Sequence, residues 1–289
     1  MPASETFVAA LPHNAVLAIS GDDAAAFLHA QFTNDVAALA PGAAQWNGWC
    51  SPKGRLLATF LLVRRETDYL LMLPAEIAEP VAKRLRMFVL RSKVKIEDIT
   101  AKIERYGVAG PGAAAIVEPL RDRAAVAQVD ARRFVVLADA PMLEPTAGES
   151  AWDASLVQAG IPIVVAATQD AFVPQMANFE LVGGVNFKKG CYPGQEIVAR
   201  TQYRGILKRR MALAHLDTAE APQPGDSLYS SAFGEQAAGQ VANAAPAPQG
   251  GFDALVVAQV ESLKRGDLRW RAPDGPALEM RELPYTVPA

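Results

Sequence analysis

Residues 186–205 read NFKKGCYPGQEIVARTQYRG and hold the most informative pattern of the chain. Two glycines, Gly190 and Gly194, bracket a cysteine, so Cys191 is predicted to lie in a tight turn with unusual backbone angles. No helix breaker follows Gly194 as far as residue 203. The stretch therefore predicts a short helix that begins at residue 194 or 195, with the cysteine just ahead of its N-terminus.

Cys191 has two reasons to ionise more readily than a free cysteine. A helix N-terminus carries partial positive charge, and Lys188 and Lys189 add ammonium groups beside the thiol. A small residue that merely fits the turn would explain the cysteine as well. Turn chemistry alone leaves a reactive thiol and a turn residue equally open.

Residues 189–196, KGCYPGQE, followed by IVAR, resemble the signature of the YgfZ-type folate-binding proteins, relatives of the glycine-cleavage aminomethyltransferase. The signature is long and unusual in composition, so the resemblance is specific there. A weaker likeness covers nearly the whole chain, including the helix at 21–36 and the turn at 53–55. The resemblance implies an α+β fold, in which a folate-binding region of two intertwined α+β subdomains precedes a C-terminal β-barrel.

Members of that family bind tetrahydrofolate and support the assembly or repair of iron-sulfur clusters. The resemblance therefore implies tetrahydrofolate or a derivative as the ligand, and iron-sulfur enzymes as clients. Radical enzymes that modify transfer RNA are among those clients, which implies a transient partner related to transfer RNA.

The resemblance also carries roles to particular residues of this chain. Cys191 takes the reactive-thiol role, and Trp152, seven residues before AGIP at 159–162, takes a folate-contacting role. A flat indole suits contact with a pterin, although residue type alone would favour a core position for Trp152. Five further signature residues are expected to contact the cofactor: Lys189, Tyr192, Gln195, Glu196 and Arg200.

One position departs from the family pattern. Some members carry a second tryptophan near the N-terminus, where this chain has Asn14. Either folate binding is weaker for that reason, or another aromatic residue such as Trp46 or Trp49 takes its place.

The length of 289 residues suits about two domains, and we place the boundary near residue 206. Residues 1–205 would form the folate-binding region and residues 206–289 the barrel. With 51% hydrophobic and 20% charged residues, the composition is that of a soluble globular protein. The start lacks the charged segment of a signal peptide, and no apolar run approaches the about 20 residues of a membrane span. We therefore expect a cytoplasmic protein without a membrane partner.

The number of cysteines, the spacing of the histidines and the distribution of charge narrow the range of possible functions further. Two cysteines make no disulfide framework, and Cys50 is expected to be a buried structural thiol. The three histidines have no metal-ligand spacing, so no metal site is predicted. The net charge is -3, yet residues 188–210 hold seven basic residues against one acidic residue, a local charge of +6. That segment indicates an anionic partner or a solvated basic helix face.

Local patterns predict the elements of the folate-binding region. An apolar stripe of Leu28, Phe32, Val36 and Leu39 predicts a helix that runs until Pro41. A second helix at 75–88 would bury one face through Ile77, Val81, Leu85 and Phe88. Strands are predicted at 15–19, 46–50, 55–63, 69–73, 94–99, 103–108 and 133–137, with further helices at 112–120 and 150–159. After residue 205, short strands without helices predict a small β-barrel or sandwich.

The main alternative function is an aminomethyltransferase that acts on a lipoyl-bound intermediate. The resemblance implies that such an enzyme needs a carboxylate in the strand after the hairpin, to stabilise charge at the amine. The matching residues 56–60 read LLATF and contain no acid. The sequence therefore argues against this activity.

Two other functions rest on fewer residues. A cysteine hydrolase would pair Cys191 with His215, but nothing in the sequence brings the two together. An RNA-binding module would use Lys208, Arg209 and Arg210 with Tyr203, and would bind in a salt-dependent way.

Overall fold

The computed structural model describes residues 5–205 and 207–288, which form three antiparallel sheets with helices packed against them. The strands are β1 Phe7–Ala10, β2 Asn14–Ser20, β3 Ala44–Cys50, β4 Leu56–Arg64, β5 Asp68–Pro74, β6 Lys95–Asp98, β7 Glu104–Ala109, β8 Ala125–Asp130, β9 Arg133–Ala138, β10 Arg209–Leu216, β11 Ser227–Tyr229, β12 Gly239–Pro246, β13 Phe252–Gln259, β14 Arg269–Trp270 and β15 Glu279–Arg281. The helices are α1 Ala24–Gln31, α2 Ala75–Val89, α3 Ala113–Val117, α4 Glu149–Gln158, α5 Gln195–Arg204 and α6 Val260–Arg265.

Two of the sheets are intertwined along the chain. A five-stranded sheet has the order β3-β4-β5-β2-β6, and a four-stranded sheet has the order β1-β7-β9-β8. The chain begins in the second sheet with β1, passes through every strand of the first, and returns at β7, which pairs with β1. The predicted α+β fold with intertwined subdomains is confirmed.

The strand β4, in the five-stranded sheet, separates two large hydrophobic cores. Its residues are buried on both faces: Leu61 and Val63 belong to the core near the centre of the molecule, while Phe60 and Leu62 pack with α2. A continuous apolar run is what a strand covered on both sides requires. Every apolar side chain of β4 therefore helps to hold one of two layers.

The C-terminal strands form a six-stranded antiparallel sheet, of order β14-β11-β12-β13-β10-β15, that curls into a half-barrel. The expectation that this part of the chain has no helix is wrong, because the helix α6 follows β13. The helix ends before Gly266, which has the left-handed conformation with φ 67°. The hydroxyl of Tyr285 donates to the carbonyl oxygen of Gly160 at 2.7 Å, so the C-terminal segment returns to the end of α4. Ile206, at the expected boundary, lies outside the described residues, and the two-domain division stays a prediction.

Two local expectations are wrong. The helix α1 ends at Gln31 instead of near residue 39, since Phe32 is extended and the Asn34 and Asp35 side chains accept hydrogen bonds from nearby backbone amides. Val36 is nevertheless buried, from a loop. In α2, the predicted buried face ends at Leu85, and Phe88 is 44% exposed.

Short elements were also missing from the expectations. The strands β1 and β8 are four and six residues long, and their sequences FVAA and AVAQVD carry little periodicity. Within the described part of the chain, no helix has the combined length and apolar character needed to cross a membrane.

Candidate functional site

A cavity of about 410 Å³ lies where the three sheets meet α4. Its wall includes Trp46 from β3, Thr59 from β4 and Asn243 from β12. The helix α4 contributes Trp152 and Asp153. A cavity of this size, mostly apolar and with a few polar groups, is typical of a small-molecule site.

Trp152 is both a core residue and a wall of this cavity. It is 2% exposed, and its ring packs directly on the backbone of Gly107 in β7. A Cβ at position 107 would fall 2.4 Å from the Trp152 ring, so only glycine lets the indole lie there. The position of the predicted folate-contacting tryptophan is therefore fixed by close packing.

One side of the cavity is acidic. Glu149 and Asp153 lie one helical turn apart on α4, and Glu149 Oε2 lies 2.6 Å from His13 Nδ1. Asn14 donates through Nδ2 to Glu149 Oε1 at 3.1 Å. The position that departs from the family pattern therefore lies in the cavity wall, where it holds a carboxylate.

The environment of Asp153 changes its acidity. Desolvation by the surrounding protein, and secondarily the negative charge of Glu149, raise the pKa of Asp153 to about 6, while His13 acts in the opposite direction. Asp153 is nevertheless an exposed residue, so its carboxyl lies at the cavity mouth and is open to solvent. Sequence reasoning missed both carboxylates, although their i, i+4 spacing around Trp152 was a readable signal.

The two tryptophans considered as replacements for the missing aromatic lie on different faces of β3. Trp46 lines the cavity, and its buried Nε1 has no hydrogen-bond partner among the described residues. Trp49 belongs to the other core and contacts the end of α2. The Nε1 atoms of both tryptophans are enclosed by protein and lack a partner in the described part of the chain, so Trp46 offers the cavity its ring and not its N–H donor.

The signature forms a loop and a helix outside this cavity. The helix α5 begins at Gln195, in agreement with the sequence prediction, after Gly194 at φ 77°. A Cβ on Gly194 would lie 2.6 Å from the Cα of Gly54, so the signature packs closely against the β3–β4 turn. Cys191 precedes this contact and is exposed.

Three signature residues hold the loop in place. Lys189 is 8% exposed and donates to the carbonyl oxygens of Phe32, at 2.5 Å, and His29 at the end of α1. Burial lowers the pKa of Lys189 to about 8, against the opposing effects of Asp35 and Cys191. The Lys189 ammonium lies 4.9 Å from the ring centre of Tyr192, whose pKa is raised by burial.

Gln195 completes this arrangement, since its Nε2 donates to the Gly190 carbonyl at 3.3 Å. Glu196 and Arg200 are exposed on α5 and border a shallow surface depression beside Tyr203. The structure thus brings Trp152 to the cavity and the other six predicted site residues to the loop and α5. The predicted cofactor contacts of the five signature residues other than Cys191 stay predictions, and so does the chemical role of Cys191.

Other predicted positions have clear surroundings. Cys50 is 2% exposed, and burial, with a contribution from Asp170, raises its pKa, so this thiol is structural. His215 lies in β10 with its Nδ1 3.0 Å from Asp253 Oδ1. Within residues 5–205 and 207–288, no group of three His, Cys, Asp or Glu side chains is arranged to hold a metal ion.

The comparisons with known proteins agree with this architecture. Residues 10–142 match the GCVT N-terminal domain family. The crystal structure of the glycine cleavage system aminomethyltransferase T from Bartonella henselae superposes with a TM-score of 0.73, covering 97% of this chain and 86% of that chain at 15% identity. The fold is therefore that of the aminomethyltransferase class.

Sequence relatives define the family more narrowly. The tRNA-modifying protein YgfZ of Escherichia coli K12 is 30% identical, over 74% of this chain and 73% of that protein. The protein of the same name from Colwellia psychrerythraea is 28% identical, over 80% of this chain and 78% of that protein. The chain belongs to the YgfZ family.

Proposed function

We propose that this chain binds tetrahydrofolate or a derivative in the 410 Å³ cavity. In this proposal it is a folate-dependent accessory protein that supports iron-sulfur cluster assembly or repair in client enzymes, among them enzymes that modify transfer RNA. The observation that carries the proposal is the cavity itself, with the rings of two tryptophans and two carboxylates of α4 in its wall.

The cavity wall fits a reduced pterin. A pterin is flat, carries N–H donors along one edge and has a carbonyl acceptor. Asp153 offers a carboxylate acceptor for those donors, while both oxygens of Glu149 are already bound by His13 and Asn14. Trp152 supplies an apolar aromatic wall, and aromatic contacts contribute about 0.5–1.5 kcal/mol beyond area burial.

The glutamate tail of a folate has no place among these acids. The charged residues of the cavity wall include Glu76, Glu149 and Asp153. Like charges repel in a partly buried site, so the tail carboxylates would extend out of the cavity towards solvent or a basic surface. When bound, a reduced folate supplies a carrier for one-carbon groups, while the chain's own residues bind and orient it.

The second part of the proposal concerns Cys191. The thiol is exposed on a loop that Lys189, Tyr192 and Gln195 hold in place, and it does not line the cavity. A thiol displayed on a fixed loop suits contact with a client protein better than chemistry on a ligand inside the cavity. Folate binding and thiol chemistry would then be separable functions of one molecule.

A folate-dependent aminomethyl transfer is the second candidate. The strand β4 offers Thr59 to the cavity, and its hydroxyl is already engaged with Pro162 and Val164. Asp153 favours this candidate nonetheless, because a cavity carboxylate with a pKa raised to about 6 could hold a proton during transfer. Transfer of the methylene group of 5,10-methylenetetrahydrofolate, together with ammonia, to a dihydrolipoyl thiol would release tetrahydrofolate and establish the activity, and we expect none.

A calorimetric titration of the full chain with tetrahydrofolate tests the binding step. We expect saturable binding that Asp153→Asn weakens, since the amide presents one acceptor oxygen in place of two. A matched control is Asp267→Asn, which changes the same charge in the C-terminal part, where Asp267 bonds to Ser230 and Ser231. A flat titration for the unaltered chain would remove folate from the proposal.

A further inference from the structure

We propose that the end of α2 and the turn after it form a docking surface for a partner protein that presents carboxylates around apolar side chains. We call residues 83–95 the α2 corner. The inference concerns the client protein of the proposed function. It rests on the proposed function in one respect, that the chain acts on another protein. No folate contact is part of it, because the α2 corner does not line the cavity.

The α2 corner exposes large apolar side chains. Met87 is 70% exposed, Phe88 44% and Leu90 87%, and these are three of the five large exposed apolar residues in the described parts of the chain. Scattered apolar residues on a surface need no explanation, but three within four positions form a patch. Such a patch is expected where another molecule covers it.

Leu90 also has a backbone conformation that disfavours leucine. Its φ is 45° and its ψ is -106°, and the Ser92 amide donates to the Val89 carbonyl at 2.8 Å. This is the second position of a type II′ turn, which glycine normally occupies because other residues are strained at positive φ. A leucine with a strained backbone and a mostly exposed side chain contributes little to the stability of the fold. Its side chain is therefore expected to serve in contact with another molecule.

The apolar patch is surrounded by positive charge. The α2 corner contains six basic residues and no acidic residue, in a chain whose net charge is -3: Lys83, Arg84, Arg86, Arg91, Lys93 and Lys95. Among the described residues, carboxylates pair only with Lys93, through Asp22, and with Lys95, through Glu97. Both pairs are largely exposed and therefore weak. Arg86 donates to the Ile96 carbonyl, and Arg84 lies over the Trp49 ring. Lys83 and Arg91 are therefore the cations that would pair with carboxylates of the partner.

The chemistry of the patch favours a protein over RNA or a membrane. RNA binds on free aromatic faces, but the one aromatic ring of the patch, Phe88, packs at 6.4 Å and 90° against Trp49. A helix that lies on a membrane inserts its whole apolar face, whereas α2 buries Ile77, Val81 and Leu85 in the protein core. Arginine, methionine and phenylalanine around a small apolar centre are typical of protein interfaces.

A chain of contacts joins the α2 corner to the loop that carries Cys191. Phe88 and Arg84 both contact the Trp49 ring, and Trp49 forms a β-bridge with Phe32. The Phe32 carbonyl in turn accepts the hydrogen bond from Lys189, two residues before Cys191. The α2 corner and the loop that carries Cys191 therefore rest on the same buried residues, Trp49 and Phe32.

In-cell photo-cross-linking followed by binding measurements tests the inference. A benzophenone side chain is introduced at position 90, and at Arg123 as a control on another exposed segment. The protein that cross-links from position 90 is identified and purified, and its affinity for the full chain is then measured. We expect Lys83→Glu/Arg91→Glu to weaken that affinity about tenfold or more, and Arg121→Glu/Arg123→Glu, which makes the same charge change elsewhere, to leave it unchanged.

Leu90→Gly separates docking from folding. Glycine relieves the strained turn, so the melting temperature should rise or stay equal while partner affinity falls severalfold. The inference is overturned if position 90 yields no protein adduct above the control, if the adduct is RNA, or if the identified protein binds all variants equally. A flat folate titration would overturn the proposed ligand alone, because these measurements do not depend on folate.

Discussion

The ammonium of Lys189 donates to the Phe32 carbonyl at 2.5 Å and thereby ties the signature loop to the end of α1. The cation also faces the negative end of that helix, a favourable position. Replacement by methionine keeps the length of the side chain but leaves helix-end carbonyls unpaired. We expect Lys189→Met to lower the free energy of unfolding by about 1–3 kcal/mol, measured by urea denaturation. Lys188→Met, at an exposed neighbour, is the control and should change little.

Lys189 also makes stability depend on pH in a particular direction. Its pKa is lowered by burial from the ordinary 10.5 to about 8 in the folded chain. Between these values the unfolded chain binds the extra proton, so the Lys189 contribution to stability increases as pH rises from about 8 to 10.5. Unfolding free energies across this range should rise more steeply for the unaltered chain than for Lys189→Met. Equal slopes would contradict the assignment of the buried ammonium.

Asp153 should control the pH dependence of folate binding. Its pKa is raised to about 6, so the carboxylate becomes charged and a better acceptor as pH rises through that value. We expect tetrahydrofolate affinity to increase between about pH 5 and 7, and Asp153→Asn to remove that part of the increase. The charges that act on Asp153 are those of Glu149 and His13, so Glu149→Gln is measured alongside. Protonation of the ligand changes the affinity of every variant equally, so it cancels when the pH dependence of one variant is compared with that of another.

Trp152 requires a conservative substitution. Since it is 2% exposed, alanine would remove core packing at a cost of about 3–5 kcal/mol and confuse binding with unfolding. We expect Trp152→Phe to fold and to bind tetrahydrofolate about tenfold more weakly, measured by calorimetry. Trp270→Phe, in β14 and away from the cavity, is the matched control. Equal affinity for both variants would leave Trp152 as a core residue alone.

Cys191→Ser separates the thiol from the ligand. Serine keeps the size of the side chain, so the variant should fold and bind tetrahydrofolate like the unaltered chain. In cells that lack the native protein, we expect it to fail to restore iron-sulfur enzyme activity. Alkylation followed by peptide mapping should label exposed Cys191 well before Cys50, which is buried and has a raised pKa. Full restoration by Cys191→Ser would make Cys191 a turn residue.

The patterns with long periodicity were predictable from sequence, and so was the signature. The continuous apolar run of β4 predicts a strand that is buried on both faces. The apolar stripe of α2 predicts a helix, and Gly194 predicts that α5 begins at the next residue, Gln195. The order of these elements, together with the resemblance, predicted the α+β fold.

The candidate site was only partly predictable, because it depends on contacts between distant residues. Asn14 and Glu149 lie 135 positions apart and share a hydrogen bond that no local pattern records. Lys189 looked like a partner for the thiol, but its ammonium instead binds carbonyls about 160 residues earlier. Likewise, the strain at Leu90 comes from a backbone turn, which residue type alone did not indicate.

The structure of the chain crystallised with tetrahydrofolate tests the central claim most directly. Our account predicts ligand density inside the cavity, with the pterin within hydrogen-bond reach of Asp153 and against the rings of Trp46 and Trp152. Density in the α5 depression beside Arg200 and Tyr203, with the cavity empty, would contradict it.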